Sequence, residues 1–350
     1  MAQKITHWLL ITLILSLGFG QLLRFEFFGF PIYLHDILVV LILLFLFLQG
    51  QALQVRKIDL RGLALLGAGL TLGWLRALTL YPIPDLLIPA LYTIRLLSYL
   101  VLYFIIKQSK IIIPKSYFLI SGFLTLIVGL WQYFYLPDMR IFQSIGWDDH
   151  LSRLTLPHFD PTFTAVMLSL ATLAFPKFFP LFIIGILLTY ARSIWLSLIL
   201  VLLYFLKNKL ILLLTVSFML LAIFILPKKF GEGTNLLRTY SISSRLQSDF
   251  SYIQKYNWDL LIGRGMNTLL LDQDPTHATS PNNSYLDLLV TTGILGLIGW
   301  GMIMQSIYLI SSHKPMLIFF FIASLFNNVM FYSFAILWVL LLETTVPTSI

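Results

Sequence analysis

The stretch from residue 283 to residue 310 reads NSYLDLLVTTGILGLIGWGMIMQSIYLI and by itself indicates the class of this protein. A helix crosses a bilayer with about 20 mainly apolar residues, and this run is longer than that. Similar runs recur along the 350-residue chain, which is 59% hydrophobic and 11% charged, with a mean hydropathy of +0.89. A soluble domain carries about 25% charged residues. The composition therefore predicts a polytopic membrane protein.

Apolar runs between polar or proline-marked breaks predict about twelve membrane-spanning helices, and therefore an all-α transmembrane bundle. The runs lie near residues 7–23, 34–50, 62–80, 90–107, 116–136, 161–176, 179–191, 193–206, 210–227, 283–310, 315–329 and 331–346. The first run lacks a small-x-small cleavage site, so it is interpreted as a transmembrane helix and not as a secretory signal. Residues 1–350 then form one integral membrane domain.

Positive charge in the short loops predicts the orientation of these spans. Nine lysines fall on one side of the alternating count, which assigns that side to the cytoplasm: Lys4, Lys57, Lys107, Lys110, Lys115, Lys177, Lys207, Lys209 and Lys314. An even number of spans then places both termini in the cytoplasm. Residues 228–282, the longest polar segment between two spans, become a large, partly helical extracytoplasmic loop. The predicted location is the cytoplasmic membrane.

Arginines have the opposite distribution to lysines. Nine of them fall in the predicted outer half: Arg24, Arg76, Arg95, Arg140, Arg153, Arg192, Arg238, Arg245 and Arg264. The planar guanidinium binds phosphate and carboxylate bidentately, so the set predicts an outward-facing site for an anionic substrate. Snorkelling to lipid headgroups is the alternative for any single arginine. Arg95 and Arg192 interrupt apolar sequence, where an arginine costs roughly 2.5–3.5 kcal/mol at the helix centre, and such residues usually face a cavity or a partner.

Metal and thiol chemistry receive no support from the sequence. The chain contains no cysteine, and its six histidines include no HExxH motif or other close ligand pair. Disulfides, thiolate catalysis and cysteine metal sites are therefore excluded. We expect no metal and no cofactor.

Four fragments occur in order in the second half of the chain. They are Arg153-Leu154-Thr155 followed by Phe159-Asp160-Pro161; Thr189-Tyr190-Ala191-Arg192-Ser193; Ser244-Arg245 followed by Gly263-Arg264-Gly265; and Asn282-Asn283 followed, after nine intervening residues, by Gly293-Ile294-Leu295-Gly296. Together they resemble the O-antigen ligase and O-antigen polymerase family of bacterial membrane proteins. The resemblance covers roughly residues 140–345.

The resemblance implies a glycosyltransferase of lipopolysaccharide or other cell-envelope polysaccharide biosynthesis. Such an enzyme takes a glycan from a polyprenyl-diphosphate donor, such as undecaprenyl diphosphate, on the outer face of the cytoplasmic membrane. It passes the glycan to a sugar hydroxyl of a lipid or of another glycan. The donor diphosphate carries the energy, so the resemblance implies no metal, no cofactor and no nucleic-acid partner. Ligase and polymerase share this donor and are not distinguished by the sequence.

The resemblance also implies roles for individual residues. Arg192 and Arg245 would bind the donor diphosphate, with Arg153 and Arg264 as further candidates. Loop and packing roles fall to the remaining matched positions, which are Gly263 and Gly265 in a tight turn, Asn283 before the tenth span, and Gly293 and Gly296 within it.

The catalytic base is the point at which the chain departs from the family. The signature histidine of the family falls on Asn282, and a neutral amide cannot accept a proton. His277, Asp274 and Asp272 are the candidates, unless the loop aligns differently so that His277 takes the signature role. A dissociative transfer with little need for a base, or impaired catalysis, is the further alternative. His158 is another polar side chain at the predicted outer face.

Two other functions also suit outward arginines in a membrane bundle. A flippase or transporter of a lipid-linked or anionic solute would need such a cavity, although inverted repeats and more even loops are typical of that class. Another lipid-linked glycosyltransferase, such as a peptidoglycan polymerase of the shape, elongation and division type, also joins many spans to a large outer loop.

Overall fold

The computed structural model describes residues 2–27, 30–51, 55–109, 111–227, 232–237, 239–272 and 281–345. It is all-α and 78% helical, and its apolar helices are those of a membrane protein. Strands β1 (Arg24–Phe27) and β2 (Phe30–Tyr33) form one short antiparallel hairpin between the first two helices. Short 3-10 turns lie at Gly20–Leu23, Ile83–Leu86, Met139–Ile145, Pro176–Phe178, Glu232–Thr234 and Thr268–Asp272.

The α-helices follow the apolar runs of the sequence. They are α1 (Ala2–Phe19), α2 (Leu34–Leu48), α3 (Lys57–Leu80), α4 (Leu87–Gln108), α5 (Ser116–Tyr135), α6 (Pro161–Ala174), α7 (Phe179–Leu188), α8 (Arg192–Phe205), α9 (Lys209–Ile225), α10 (Tyr240–Lys255), α11 (Asp259–Ile262), α12 (Ser284–Ile310), α13 (Lys314–Phe326) and α14 (Ser333–Thr344). Each of the twelve runs contains one helix, and α10 and α11 lie within the polar segment 228–282.

The number of helices of membrane-spanning length is lower than twelve. Among the described residues, α1, α3, α4, α5 and α12 qualify, and a sixth span results if the bent pair α6–α7 counts as one. Helices α2, α8, α9, α13 and α14 are apolar but only 10–17 residues long. A helix rises 1.5 Å per residue, so such helices are shorter than the hydrocarbon core of about 30 Å.

Helices α6 and α7, the sixth and seventh predicted spans, form a tight hairpin. They bend by 119° at the break around Pro176. Helix α7 has 10 residues and is therefore about 15 Å long. The backbone N–H of Leu154 donates to the carbonyl of Leu188 (2.9 Å), so the end of α7 returns beside the segment that precedes α6. The pair thus begins and ends on the same side of the bundle.

Helix α14 lies at the centre of the bundle. Its residues from Ser333 to Glu343 are all buried, and α1, α4 and α6 pack around it. A helix that is apolar and covered on every face belongs to the interior of a large bundle. The central position of α14 places its first residues, near Tyr332, beside the polar groups described below.

The tightest helix pair is α3 with α12. A Cβ atom on Gly69 would overlap the backbone of Gly296, and one on Gly62 would lie 3.0 Å from the carbonyl of Gly299. Small residues allow two backbones to approach closely in a membrane, where dispersion and weak polar contacts replace the hydrophobic driving force. The structure therefore gives Gly296 a packing role.

We expect Gly69→Ala to lower the free energy of unfolding by about 1–3 kcal/mol, because the added methyl group must displace the backbone of α12. Gly67→Ala is the matched control, since a Cβ at Gly67 on the same helix meets no atom within 4 Å. The control should leave stability unchanged or slightly higher. Reversible unfolding in mixed micelles with increasing dodecyl sulfate measures both variants. Equal free energies of unfolding for the two variants would contradict the close helix contact.

Candidate functional site

Arg153 and Arg192 both lie at the turn between α7 and α8. The Nε of Arg153 donates to the carbonyl of Thr189 (2.9 Å), and Arg192 is the first residue of α8. The Nη1 of Arg192 donates to the carbonyl of Leu236 (2.9 Å). A Cβ on Gly233 would lie 3.4 Å from Cδ of Arg153, so the segment 232–237 lies against both arginines.

Arg245 on α10 reaches the same place from another direction. Its Nη1 donates to Oδ1 of Asn327 (2.9 Å) and to the carbonyl of Phe326 (3.1 Å). The Nδ2 of Asn327 donates to Oγ of Ser193 (2.9 Å), the residue that follows Arg192. We call Arg153, Arg192 and Arg245 the arginine cluster. Three segments far apart in sequence therefore bring their guanidinium groups to the N-terminal end of α8, and a helix N-terminus itself attracts anions.

Arg264 differs from its prediction, because carboxylates surround it. Its Nη1 and Nη2 donate to Asp259 (2.8 Å) and Asp272 (2.7 Å), and its Nε donates to the hydroxyl of Tyr81 (2.9 Å). The guanidinium also lies over the rings of Tyr81 and Tyr256. These contacts compensate its charge, so Arg264 fixes the turn and is not included among the anion ligands.

Asp272, predicted as a candidate base, belongs to this same network. Its carboxylate accepts hydrogen bonds from Tyr81 (2.7 Å) and Tyr256 (3.0 Å) in addition to the ion pair with Arg264. Burial raises the pKa of Asp272, but the hydrogen bonds from Tyr81 and Arg264 outweigh it and lower the pKa below its usual value. A carboxylate stabilised in this way is a poor proton acceptor. Asp274 and His277, the other candidates, lie outside the described residues.

A glycine turn docks against an interruption of α12. Gly263 and Gly265 adopt positive φ angles of 91° and 98°, and Gly293 breaks the helix with φ 69° and ψ −176°. A Cβ on Gly263 would lie 2.7 Å from the carbonyl carbon of Thr292. Only glycine adopts such angles at low cost. Gly293 therefore bends α12 around the turn, whereas the prediction assigned it to helix packing.

The asparagine pair before α12 lies beside the arginine cluster. Oδ1 of Asn283 accepts from the N–H groups of Tyr285 (2.9 Å) and Leu286 (3.3 Å) and caps the helix. The backbone N–H of Asn282 interacts with the carboxylate of Asp249, which lies close to Arg245. Burial raises the pKa of Asp249 against the opposing effects of that N–H group and of Arg245.

A cavity of about 570 Å³ lies between α4, α6, α12 and α14. Its wall is mostly aromatic and polar and consists of Tyr92, Arg95, Leu96, Tyr99, Gly146, Trp147, Phe163, Met266, Asn267, Leu270, Asp287, Thr291, Asn328, Phe331, Tyr332, Ser333 and Ile336. Asp287 is 9% exposed, and its Oδ2 accepts from Nδ2 of Asn328 (2.8 Å). Asp287 is not among the site residues predicted from the sequence. An acidic residue within the apolar run 283–310 is the signal that marks it, since charges in membrane segments are usually functional.

Arg95 and His158 are occupied within the protein. Nη2 of Arg95 donates to Asp36 (2.6 Å), which also accepts from the hydroxyl of Tyr99 (2.7 Å), so its charge is neutralised in the cavity wall. His158 is completely buried and its Nδ1 lies 2.7 Å from the hydroxyl of Tyr332. Burial lowers the pKa of His158 to about 3, with a further contribution from His35, so the ring is neutral.

One group of side chains within the described residues lies close enough to hold a metal ion. Asp148, His150 and Asp160 each offer one ligand atom within 4.8 Å of the others. Asp160 also caps α6, because its Oδ1 accepts from the N–H groups of Thr162 (2.6 Å) and Phe163 (3.0 Å). Their spacing in sequence follows no metal motif, so the sequence does not predict this group.

The chain matches no protein-family model. It also matches no curated protein.

Proposed function

We propose that this protein is an integral-membrane glycosyltransferase of the O-antigen ligase or polymerase type. It transfers a glycan from a polyprenyl-diphosphate donor to a sugar hydroxyl of a lipid or glycan acceptor. The observation that carries the proposal is the contact chain from Arg192-Ser193 through Asn327 to Arg245. It brings together two arginines that the family resemblance independently assigns to the donor diphosphate.

The arginine cluster suits the chemistry of a departing diphosphate. As the bond between the anomeric carbon and the diphosphate oxygen breaks, negative charge accumulates on the leaving group. Fixed cationic donors stabilise that charge more in the transition state than in the ground state, which is what accelerates a reaction. Arg153 is buried and the positive end of the α8 dipole adds to the field. The reaction requires neither a nucleotide nor a metal.

The proposed enzyme lies in the cytoplasmic membrane with all twelve apolar helices as crossings. Both termini are then cytoplasmic, and segment 228–282, which contributes Arg245 to the arginine cluster, forms the large outward-facing loop. The short helices cross where the bilayer is locally thin or where flanking polar residues snorkel to the interface. The position of Lys177 supports this arrangement, because it lines one cavity with Phe205 and Pro315, at the end of the bundle where Lys207, Lys209 and Lys314 also lie.

A transporter or flippase of a lipid-linked solute is the second candidate function. The observation in its favour is the break of α12 at Gly293, two residues after Thr291, which lines the cavity, since interrupted helices beside a cavity occur in secondary transporters. The two candidate functions differ in whether the bond between the glycan and the diphosphate is broken.

A reconstituted system separates the two functions. Purified protein is placed in liposomes with a polyprenyl-diphosphate oligosaccharide and a mixture of lipid and glycan acceptors, in the presence of a chelator and without nucleotide. The proposed function predicts a new glycan–acceptor product. Movement of labelled donor between leaflets without any product would reject the transferase and favour the flippase. Protein-free liposomes are the control for spontaneous movement.

A further inference from the structure

The cavity beside α12 has the lining of a carbohydrate site. Sugar rings place their C–H faces on aromatic side chains, and their hydroxyl groups both donate and accept hydrogen bonds. Six aromatic side chains line the cavity: Tyr92, Tyr99, Trp147, Phe163, Phe331 and Tyr332. Asn267 also lines it, and among the described residues the buried Nδ2 of Asn267 has no hydrogen-bond partner. A buried N–H group without a partner in the protein normally donates a hydrogen bond to a ligand or an ordered water. A volume of about 570 Å³ is ample for a sugar ring.

Asp287 is an unusual carboxylate in this protein. The buried carboxylates of Asp59 and Asp259 each pair with an arginine, as is normal for a charge removed from water. Asp287 is equally buried, but within the described residues its Oδ2 accepts only from the neutral amide of Asn328, and it forms no ion pair. Without a cation to hold it in the ionised form, this carboxylate retains basicity.

Asp287 also lies close to the arginine cluster. Asn327 and Asn328 are consecutive residues, and Asn327 bonds to Arg245 while Asn328 bonds to Asp287. Tyr252 lies on α10, about two turns beyond Arg245. It is close enough to Asp287 for the two side chains to interact electrostatically. A substrate whose diphosphate contacts Arg245 would therefore have its anomeric carbon near the cavity that contains Asp287.

We propose that this cavity binds one sugar ring of the acceptor and that Asp287 accepts the proton of the attacking hydroxyl. The proposal rests on the proposed function and supplies the base that Asn282 cannot provide. The acceptor oxygen forms a bond to the anomeric carbon of the donor as its O–H bond breaks. The bond from the anomeric carbon to the diphosphate breaks, and its electron pair leaves with the polyprenyl diphosphate. The hydroxyl proton moves to the carboxylate of Asp287 and from there to water.

Asp287→Asn tests the proton transfer with little change of shape. The new side-chain oxygen can still accept from Nδ2 of Asn328, so the cavity wall keeps its hydrogen bond. We expect kcat to fall roughly 100-fold or more, as is usual when a general base is lost, with the donor KM unchanged. Asp287→Glu should recover part of the rate. Asp249→Asn tests a rival base, because Asp249 is also a carboxylate near Arg245, and it should lower kcat much less than Asp287→Asn does.

A second variant tests the sugar site without touching the base. Asn267→Gly removes the amide at a position whose φ of 61° glycine tolerates, and should raise the acceptor KM while the donor KM stays the same. Wild-type transfer combined with full activity of Asp287→Asn would overturn this inference alone. Loss of activity in Asp249→Asn with retention in Asp287→Asn would move the base to Asp249 and also overturn it. Absence of transfer by the wild type would reject the proposed function, and the inference with it.

Discussion

Arg192→Ala is expected to lower kcat/KM for glycan transfer by roughly 100- to 1,000-fold, the usual effect of removing one donor that stabilises an oxyanion. Arg192 begins α8 and bonds to the carbonyl of Leu236, so its guanidinium is held where the helix dipole adds to its charge. Arg192→Lys should recover little of the loss, because an ammonium cannot reproduce a planar pair of donors. Initial rates in liposomes at varied donor concentration measure the effect.

The control for this variant is Arg140→Ala. Arg140 is another arginine of the predicted outer half, but its side chain is 55% exposed and pairs with Asp138 on the surface. Exposed ion pairs contribute little, so this variant should stay within about threefold of the wild type. If Arg192→Ala behaved like Arg140→Ala, the diphosphate would have to bind elsewhere.

Arg245→Ala is expected to have the second-largest effect, a loss of roughly 100-fold in kcat/KM. One nitrogen of Arg245 bonds to both Phe326 and Asn327, so the substitution removes a charge and also releases α10 from the end of α13. Because two roles are lost together, we expect both the donor KM and kcat to change. Titration of activity against donor concentration separates them.

Lys255→Ala is the matched control for Arg245→Ala, since Lys255 is an exposed cation on the same helix. It should leave transfer unchanged if the position of the charge matters and not merely the net charge of α10. A double variant lacking both Arg192 and Arg245 should lose less than the product of the single effects, because the two residues act on one leaving group. Simple multiplication of the effects would indicate two independent sites.

Local sequence patterns located the helices but not their extent across the membrane. Each apolar run contains a helix, because the length of uninterrupted apolar sequence is a local property. The α6–α7 hairpin was not predictable in the same way, since a run of 10–14 residues has the composition of a short span whether it crosses or turns back. The bend of 119° depends on how the pair packs against the segment before α6.

For the functional residues, too, the sequence predicts residue types and positions but not tertiary contacts. The family resemblance selected Arg192 and Arg245, but their connection through Asn327 is a tertiary contact with no sequence signal. Arg264 is also an arginine and lies between two glycines, but in the fold Asp259 and Asp272 surround it. The sequence alone does not show these ion-pair partners. Asp287 could have been selected from sequence as the one acid within the run 283–310, because burying a carboxylate there is costly.

The identity of the leaving group is the most direct test of the central claim. Wild-type protein is incubated with a polyprenyl-diphosphate oligosaccharide and acceptor in detergent, and the lipid products are identified by mass spectrometry. Glycosyl transfer at the arginine cluster predicts one intact polyprenyl diphosphate for each glycan transferred, with both products lost together in Arg192→Ala. Recovery of unchanged donor, or of polyprenyl monophosphate from cleavage within the diphosphate, would contradict the proposed reaction.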